Sequence, residues 1–247
     1  VTDERRSPGR ISLVGDLEAA IGDGQLRLDY QPQFELPGRR VASLEALLRW
    51  DHPSHGPVLP SRFVDTVEHT ELLPALTRYV IERALGDADH RLIDGCPLPL
   101  SVNISARDLL DQRLPRDVDQ LLRDHDAAPS QLTLEVTENA LLADPERATR
   151  VIAELVEIGV GLSIDDFGTG YSSLTTLRDL PVTEVKIERS FVAAMAMNRA
   201  GHRIVRAIIE LARDLDLRVV AEGIEHPAEL GELERLGCAI GQGYLLC

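Results

Sequence analysis

The sequence predicts a closed barrel of alternating strands and helices in one domain, and three observations predict it. Eight short apolar or alternating runs recur from residue 26 onward, most of them separated by stretches of helical periodicity. After the first ten residues no stretch has the composition of a second linker. Apolar run after apolar run ends on a polar residue, as strands do when their C-terminal ends meet at one mouth.

Taken in order, residues 1–12 are charged and carry Pro and Gly, so they are expected to be a linker or tail from an upstream region, with the domain over 13–247. A first helix is expected over LVGDLEAAIGDG. The strand runs follow as LRLDYQPQF, VASLEALLRW, LPLSVNIS, LTLEVTE, VGLSIDD, TEVKIE, LRVVAEG and CAIGQGYLL. Between the fourth and fifth lies DPERATRVIAELVEIG, a helix with its own punctuation. Asp144 can cap the first turn, Pro145 suits the first helical position and Gly159 suits a left-handed stop. Val151, Ile152, Leu155 and Val156 recur at helical spacing and give it one buried face. HPAELGELERLG repeats the pattern with Pro227 and Gly237. A helix of this kind packs on the outside of a sheet, so LEVTE and GLSIDD become parallel neighbours.

Composition narrows the function. In 247 residues, 41 acidic against 26 basic side chains give a formal charge of −15, which argues against a broad surface for DNA or RNA polymers. A specific anionic ligand is compatible with that charge if metal ions mask local carboxylates. Cys96, Cys238 and Cys247 are odd in number and far apart, and read as reduced, cytosolic thiols. No apolar run approaches the roughly 18 to 20 residues of a membrane span, and VTDERRSPGR has no signal-peptide core. A soluble, cytoplasmic domain is expected, and the absence of an initiator Met points to a fragment of a longer protein, which could itself be membrane-anchored.

The polar residues at the strand ends are Glu45, Asn103, Glu135, Asp165, Lys186, Glu222 and Gln242. Four carboxylates converging on one mouth repel, since two unit charges ~4 Å apart at an effective dielectric of ~20 cost about 4 kcal/mol. They must protonate or bind cations. Oxygen donors, the amide of Asn103 included, suit hard divalent ions such as Mg²⁺ or Mn²⁺ rather than zinc. Adjacent Asp165 and Asp166 could let one loop serve two ions ~3.5 to 4 Å apart, the spacing that clamps a phosphodiester during in-line attack. The FGTG that follows allows the tight turn this requires. A single acid at a strand end is most often a cap or a surface residue; a set of seven points to a metal-dependent barrel enzyme with phosphoryl chemistry.

A series of ordered motifs carries a resemblance. YQP at 30–32, EALLRW at 45–50, HPSHGPVLPSRF at 52–63, SVNIS at 101–105, LEVTE at 134–138, DDFGTGYSSL at 165–174, PVTEVKIERSFV at 181–192, AEGIE at 221–225 and GQGYL at 241–245 together resemble the EAL domain, the cyclic di-GMP phosphodiesterase module of bacterial signalling proteins. The resemblance implies a TIM-like (β/α)8 barrel with an antiparallel first strand. It implies that Glu45, Asn103, Glu135 and Asp165 hold one Mg²⁺ or Mn²⁺, that Asp165 and Asp166 contribute to a second, and that Ca²⁺ inhibits. Lys186 would help place the attacking water and Glu222 would act as general base or orient that water. Gln31, Leu47, Arg49 and Gln242 would contact the substrate, Arg49 through a phosphate. Glu138 would anchor the glycine loop after Asp166. The reaction implied is hydrolysis of cyclic di-GMP to linear 5′-pGpG, in a homodimer formed near the DDFGTG loop and downstream of a sensor or GGDEF domain.

Two features depart from the family pattern. Where the family has Asp two residues after the lysine, this chain has Glu188. The chain also stops soon after Tyr244, so the final helix is expected to be missing. Other conspicuous residues carry less. His52 and His55 form an HxxH inside a turn, Trp50 reads as packing under the rim, and LARDLDLR as a solvated helix end. The competing expectation is a catalytically weak or inactive EAL domain that only binds cyclic di-GMP or a protein partner. Retention of every metal ligand, the lysine and the base favours the enzyme.

Overall fold

The computed structural model describes residues 8–87, 92–93, 96–142, 144–169 and 180–247. Eleven strands are present among them: β1 (Leu26–Glu35), β2 (Arg40–His52), β3 (Gly56–Val58), β4 (Leu92–Ile93), β5 (Cys96–Pro97), β6 (Leu100–Asn103), β7 (Leu132–Thr137), β8 (Gly161–Phe167), β9 (Glu184–Ile187), β10 (Arg218–Ala221) and β11 (Ile240–Gly241). The α-helices are α1 (Pro8–Asp23), α2 (Pro60–Val67), α3 (Leu73–Gly86), α4 (Leu114–Asp124), α5 (Pro145–Ile158), α6 (Arg189–Met197), α7 (Arg199–Asp214) and α8 (Pro227–Leu236). None of the described helices is long and apolar enough to cross a membrane.

The sheet closes. From β2 the order runs through β6, β7, β8, β9, β10 and β11 with parallel pairing, and β1 joins the two ends, antiparallel to both β2 and β11. This is the eight-stranded barrel with one reversed strand. The β1–β2 hairpin reverses β1 because four residues connect the two strands, too few for a crossover.

Strand alternation sorts the side chains into two environments. Leu132, Leu134 and Val136 of β7, Leu162 and Ile164 of β8, and Val185 and Ile187 of β9 pack outward into the main apolar core beneath the helices. Their alternates Glu135, Ser163, Glu184 and Lys186 are buried in the barrel interior. Helix α5 follows its sequence punctuation: Asp144 accepts from the Arg147 amide at 3.2 Å, Pro145 begins the helix and Gly159 closes it at φ 100°. Gly237 closes α8 in the same way at φ 76°.

A second apolar cluster lies under α1 and α2, where Leu17, Ala20, Leu26, Phe63 and Val67 surround Trp50. Trp50 is buried against Phe63 in an edge-to-face contact at 5.2 Å, so its role is packing. His52 ends β2 in the same region. Its Nδ1 accepts from the amides of Ser54 and His55, and its Nε2 faces Asp16 of α1 at 3.3 Å, which uses the ring to hold a turn and dock a helix. Helix α1 begins at Pro8, inside the segment expected to be a linker. The three short strands β3, β4 and β5 were not expected, being two or three residues long and without a readable period.

Candidate active site

The site is built at the C-terminal ends of the parallel strands, where alternation turns Glu45, Asn103, Glu135, Asp165 and Lys186 inward. Lys186 lies at its centre, with its Nζ 2.7 Å from Glu135 Oε2, 2.7 Å from Glu222 Oε1, 3.3 Å from Glu45 Oε2 and 3.8 Å from Asp165 Oδ1. One fully buried ammonium therefore faces four carboxylates. Asn103 donates from Nδ2 to Glu45 Oε1 at 2.9 Å, and Gln242 donates from Nε2 to Glu45 Oε2 at 2.6 Å.

Two consecutive aspartates in a regular strand would point to opposite faces. The pairing of β8 with β9 instead slips between Ile164 and Phe167, and Asp166 adopts a left-handed backbone at φ 55°. Such a bulge re-aims a side chain. Carboxylate oxygens of Asp165, Asp166 and Glu222 consequently lie within 4.8 Å of one another. The turn is fastened from both sides: Thr169 donates through its amide and its hydroxyl to Asp166 O, and the Gly168 amide donates to Glu138 Oε2 at 2.9 Å. Glu138 is itself buried at the end of β7. Gly170 to Leu174 of the DDFGTGYSSL motif, with the dimer contact expected there, fall outside the described residues.

Charge and burial set the protonation. For Glu45 burial is the largest influence and acts upward, but the Lys186 charge and the bonds from Gln242 and Asn103 outweigh it and hold the carboxyl below its ordinary range. Glu135 is driven well above that range, first by burial and then by the charges of Glu45 and Asp165, against the pull of Lys186. Burial pushes Glu222 up to about 7 despite Lys186, with the Asp165 charge adding to the rise. Asp166 is raised by burial and by the charges of Asp165 and Glu188. Burial alone would lower Lys186; the surrounding carboxylates reverse this and hold it well above its ordinary value.

The arrangement suits a divalent cation. Its donors are oxygens, which match hard ions. Glu135 Oε1 is completely buried and has no hydrogen-bond partner among the described residues, a costly condition that an ion would relieve. The acidic cluster of Asp165, Asp166 and Glu222 can hold a metal ion beside it.

Around this cluster, Gln31, Arg189, Glu222, Gly223, Glu225, Gln242, Gly243 and Tyr244 line an open pocket of about 210 Å³. Gln31 lies opposite Glu45 in the hairpin register. Leu47 and Arg49 share the face of β2 that carries Glu45. Leu47 is half-buried, and Arg49 donates from Nε to Asp29 Oδ2 at 3.0 Å, so its fork already holds one carboxylate. Glu188 caps α6, accepting from the Ser190 amide at 2.9 Å, with its charge near enough to Asp166 to raise that carboxyl.

Sequence reading missed Gln33, Ser43 and Asp29. Gln33 donates from Nε2 to Gln242 Oε1 at 3.1 Å, and Ser43 donates from Oγ to Gln33 Oε1 at 2.6 Å. The available signal was alternation: in DYQPQ, positions 29, 31 and 33 are all polar and share one face of the strand.

Known proteins show the same fold. The family model for the EAL domain matches residues 14–247. Cyclic di-GMP phosphodiesterase PA2567 of Pseudomonas aeruginosa is 39% identical over 236 residues, covering 95% of this chain and 40% of that protein. The bifunctional diguanylate cyclase/cyclic di-GMP phosphodiesterase MucR of the same organism is 40% identical over 238 residues, covering 96% and 35%. This chain thus spans well under half the length of these two relatives. Among solved structures, the PaMucR phosphodiesterase in complex with c-di-GMP superposes with a TM-score of 0.87 at 41% identity, covering 95% of this chain and 96% of that one. The EAL enzyme Bd1971, in its cAMP- and cyclic-di-GMP-bound form, gives 0.88 at 34% identity, covering 96% and 65%. A barrel with one reversed strand, an acidic mouth centred on a lysine, and a family match over nearly the whole length have one common account: this chain belongs to the EAL domain family.

Proposed function

We propose that this chain hydrolyses one phosphodiester bond of cyclic di-GMP to give linear 5′-pGpG, using Mg²⁺ or Mn²⁺ held by Glu45, Asn103, Glu135, Asp165 and Asp166. The observation that carries the proposal is the convergence of four carboxylates on Lys186, with Glu135 Oε1 buried and unpartnered among the described residues. The names of the two Pseudomonas relatives and the ligand of the PaMucR structure support the choice of substrate. When bound, the divalent ions supply positive charge against the negative charge that develops on the phosphoryl oxygens and make water more acidic.

The remaining work falls to the chain's own residues. Glu222, held at 2.7 Å from Lys186 and with its carboxyl near 7, accepts the proton of the attacking water. Lys186 fixes Glu222 and Glu135 relative to each other and offsets part of their charge. Gln31 and Gln242 bind substrate at the wall of the pocket, and Leu47 gives it an apolar contact. Arg49 exchanges Asp29 for a substrate phosphate, a second acceptor that suits its planar fork. Glu138 keeps the glycine turn where Asp165 and Asp166 face the ions. We further infer a homodimer through the region of the DDFGTG loop, a sensor or GGDEF domain upstream, and inhibition by Ca²⁺, whose longer bonds and looser geometry misplace the reacting groups.

The test is chromatography of products after incubating the purified chain with cyclic di-GMP and Mg²⁺ or Mn²⁺, beside a Ca²⁺ sample and Glu222→Gln. Linear dinucleotide is expected from the unaltered protein with Mg²⁺ or Mn²⁺, and a rate lower by about 10²- to 10⁴-fold from Glu222→Gln. Binding of cyclic di-GMP without any linear product would refute the phosphodiesterase and leave a receptor.

A further inference from the structure

We infer that Gln33, assisted by Ser43, is a positioning residue for the metal site, acting through Gln242 on Glu45. The inference rests on the reading of Glu45 as a metal ligand and adds two residues that the strand-end pattern does not contain.

Hydrogen-bond polarity carries the inference. The amide of Gln242 turns its NH2 toward Glu45, donating from Nε2 to Oε2 at 2.6 Å. That choice points Gln242 Oε1 the other way, where it needs a donor. Gln33 supplies it from Nε2 at 3.1 Å, which points Gln33 Oε1 away in turn. Ser43 then donates its hydroxyl to that oxygen at 2.6 Å. Each link fixes the next, and the chain of donors runs one way, from the Ser43 hydroxyl through two amides to the Glu45 carboxyl. Reversing Gln242 would set its carbonyl against Glu45 and its NH2 against the NH2 of Gln33.

The fold makes the relay rigid. Gln33 and Ser43 are cross-strand partners in the β1–β2 hairpin, beside a slip in register at Gln33/Phe34, and the next residue, Phe34, pairs with Gly241 immediately before Gln242. Relative exposures of 1% for Gln33, 5% for Gln242 and 9% for Ser43 bury all three links of the relay. Buried partners of this kind orient metal-ligating groups, and their loss costs on the order of 10- to 100-fold in metal affinity. Gln33 touches neither substrate nor reacting atoms in this arrangement; it decides which way Gln242 faces, and so whether Glu45 Oε2 meets a donor there.

Calorimetric titration of Mn²⁺ into chelator-treated protein tests the relay, using the unaltered chain, Gln33→Met, Ser43→Ala, Gln242→Met and the Gln33→Met/Gln242→Met pair. Gln33→Met is expected to weaken Mn²⁺ binding by about 10-fold or more, with turnover recovered at high Mn²⁺ and the metal-free protein still folded at a modestly lower melting temperature. Ser43→Ala is expected to weaken it less, and it carries the test if Gln33→Met does not fold. Because Gln33 acts through Gln242, the paired variant is expected to bind no more weakly than Gln242→Met alone. Binding by both Gln33→Met and Ser43→Ala as tight as that of the unaltered chain, or losses that multiply in the paired variant, would overturn the relay. An unaltered protein that takes up no Mn²⁺ overturns the metal reading itself, and the relay with it.

Discussion

Replacing Asp108 with Asn is expected to stabilise the protein at neutral pH. Asp108 is buried beside α3 in the segment that follows β6, where Thr77 donates to Oδ1 at 2.9 Å and the Ser105 amide to Oδ2 at 2.8 Å. These bonds favour the ionised form, yet burial, aided by the nearby Asp111 charge, prevails and raises the carboxyl from 3.8 to about 6. A rise of about two units at 1.36 kcal/mol per unit makes the charge cost ~3 kcal/mol at pH 7. Because the folded state binds this proton more tightly than the unfolded chain, the stability it contributes is whole below about pH 4 and is lost as pH rises through about 6. Asn can still accept from Ser105 and presents an NH2 toward the Thr77 hydroxyl, with no charge to desolvate. The assay is urea denaturation of both proteins from pH 4 to 8. The difference between them should be small near pH 4 and grow to about 1 to 3 kcal/mol in favour of Asn by pH 7. A difference that stays flat across this range, or an Asn variant that becomes the less stable protein as pH rises, would refute the reasoning.

Two further predictions concern the frame of the site. Gly243 sits at φ 156° with space for no side chain: a Cβ there would lie 2.2 Å from Ile224 N and 2.3 Å from Ile224 O. Because backbone cannot yield as a flexible side chain does, Gly243→Ala should cost about 3 kcal/mol in urea denaturation and depress turnover by displacing Gln242; a loss under about 1 kcal/mol would contradict it. Glu138→Gln replaces a charge-assisted bond to the Gly168 amide with a neutral one, and steady-state kinetics should show kcat down by about tenfold with KM little changed. A changed KM with an unchanged kcat would assign Glu138 to substrate binding instead.

The parts of the site legible in the sequence are those that interrupt an apolar run. Glu135 and Lys186 stand out because an ionisable group between Leu, Val and Ile at the end of a strand has no ordinary reason to be there, and the structure places both in one cluster. Asn103 and Gln242 were legible as polar residues on which apolar runs end. Gln33 and Ser43 were not, because a polar residue in an alternating strand is equally compatible with solvent and with a polar barrel interior, and the choice depends on closure by distant β11. The Asp29 contact of Arg49 depends on hairpin register, which the sequence did not specify. Adjacent Asp165 and Asp166 were legible as a feature, but their convergence required a slip in pairing and a left-handed residue that composition does not reveal. Helix α1 was placed late because its start at Pro8 lies in a charged stretch with no apolar period.

The protonation pattern explains how the fold tolerates this concentration of acid. Desolvating one ammonium costs several kcal/mol, and its four carboxylate neighbours more than return that cost for Lys186, whose proton is held unusually tightly. One positive charge cannot balance four negative ones. Burial first, and the unbalanced negative charge after it, raise the affinity for protons at Glu135 and Glu222, both in contact with Lys186, and at Asp166 beside them. On the proposed reading of Glu135 and Asp166 as metal ligands, a divalent cation competes with protons for their oxygens. At Glu45 the Lys186 charge, together with the bonds from Gln242 and Asn103, outweighs burial and holds the carboxyl below its ordinary range. The Lys186 charge and the buried amides thus set Glu45 apart from Glu135 and Glu222: its carboxyl is held below its ordinary range while theirs are raised above it.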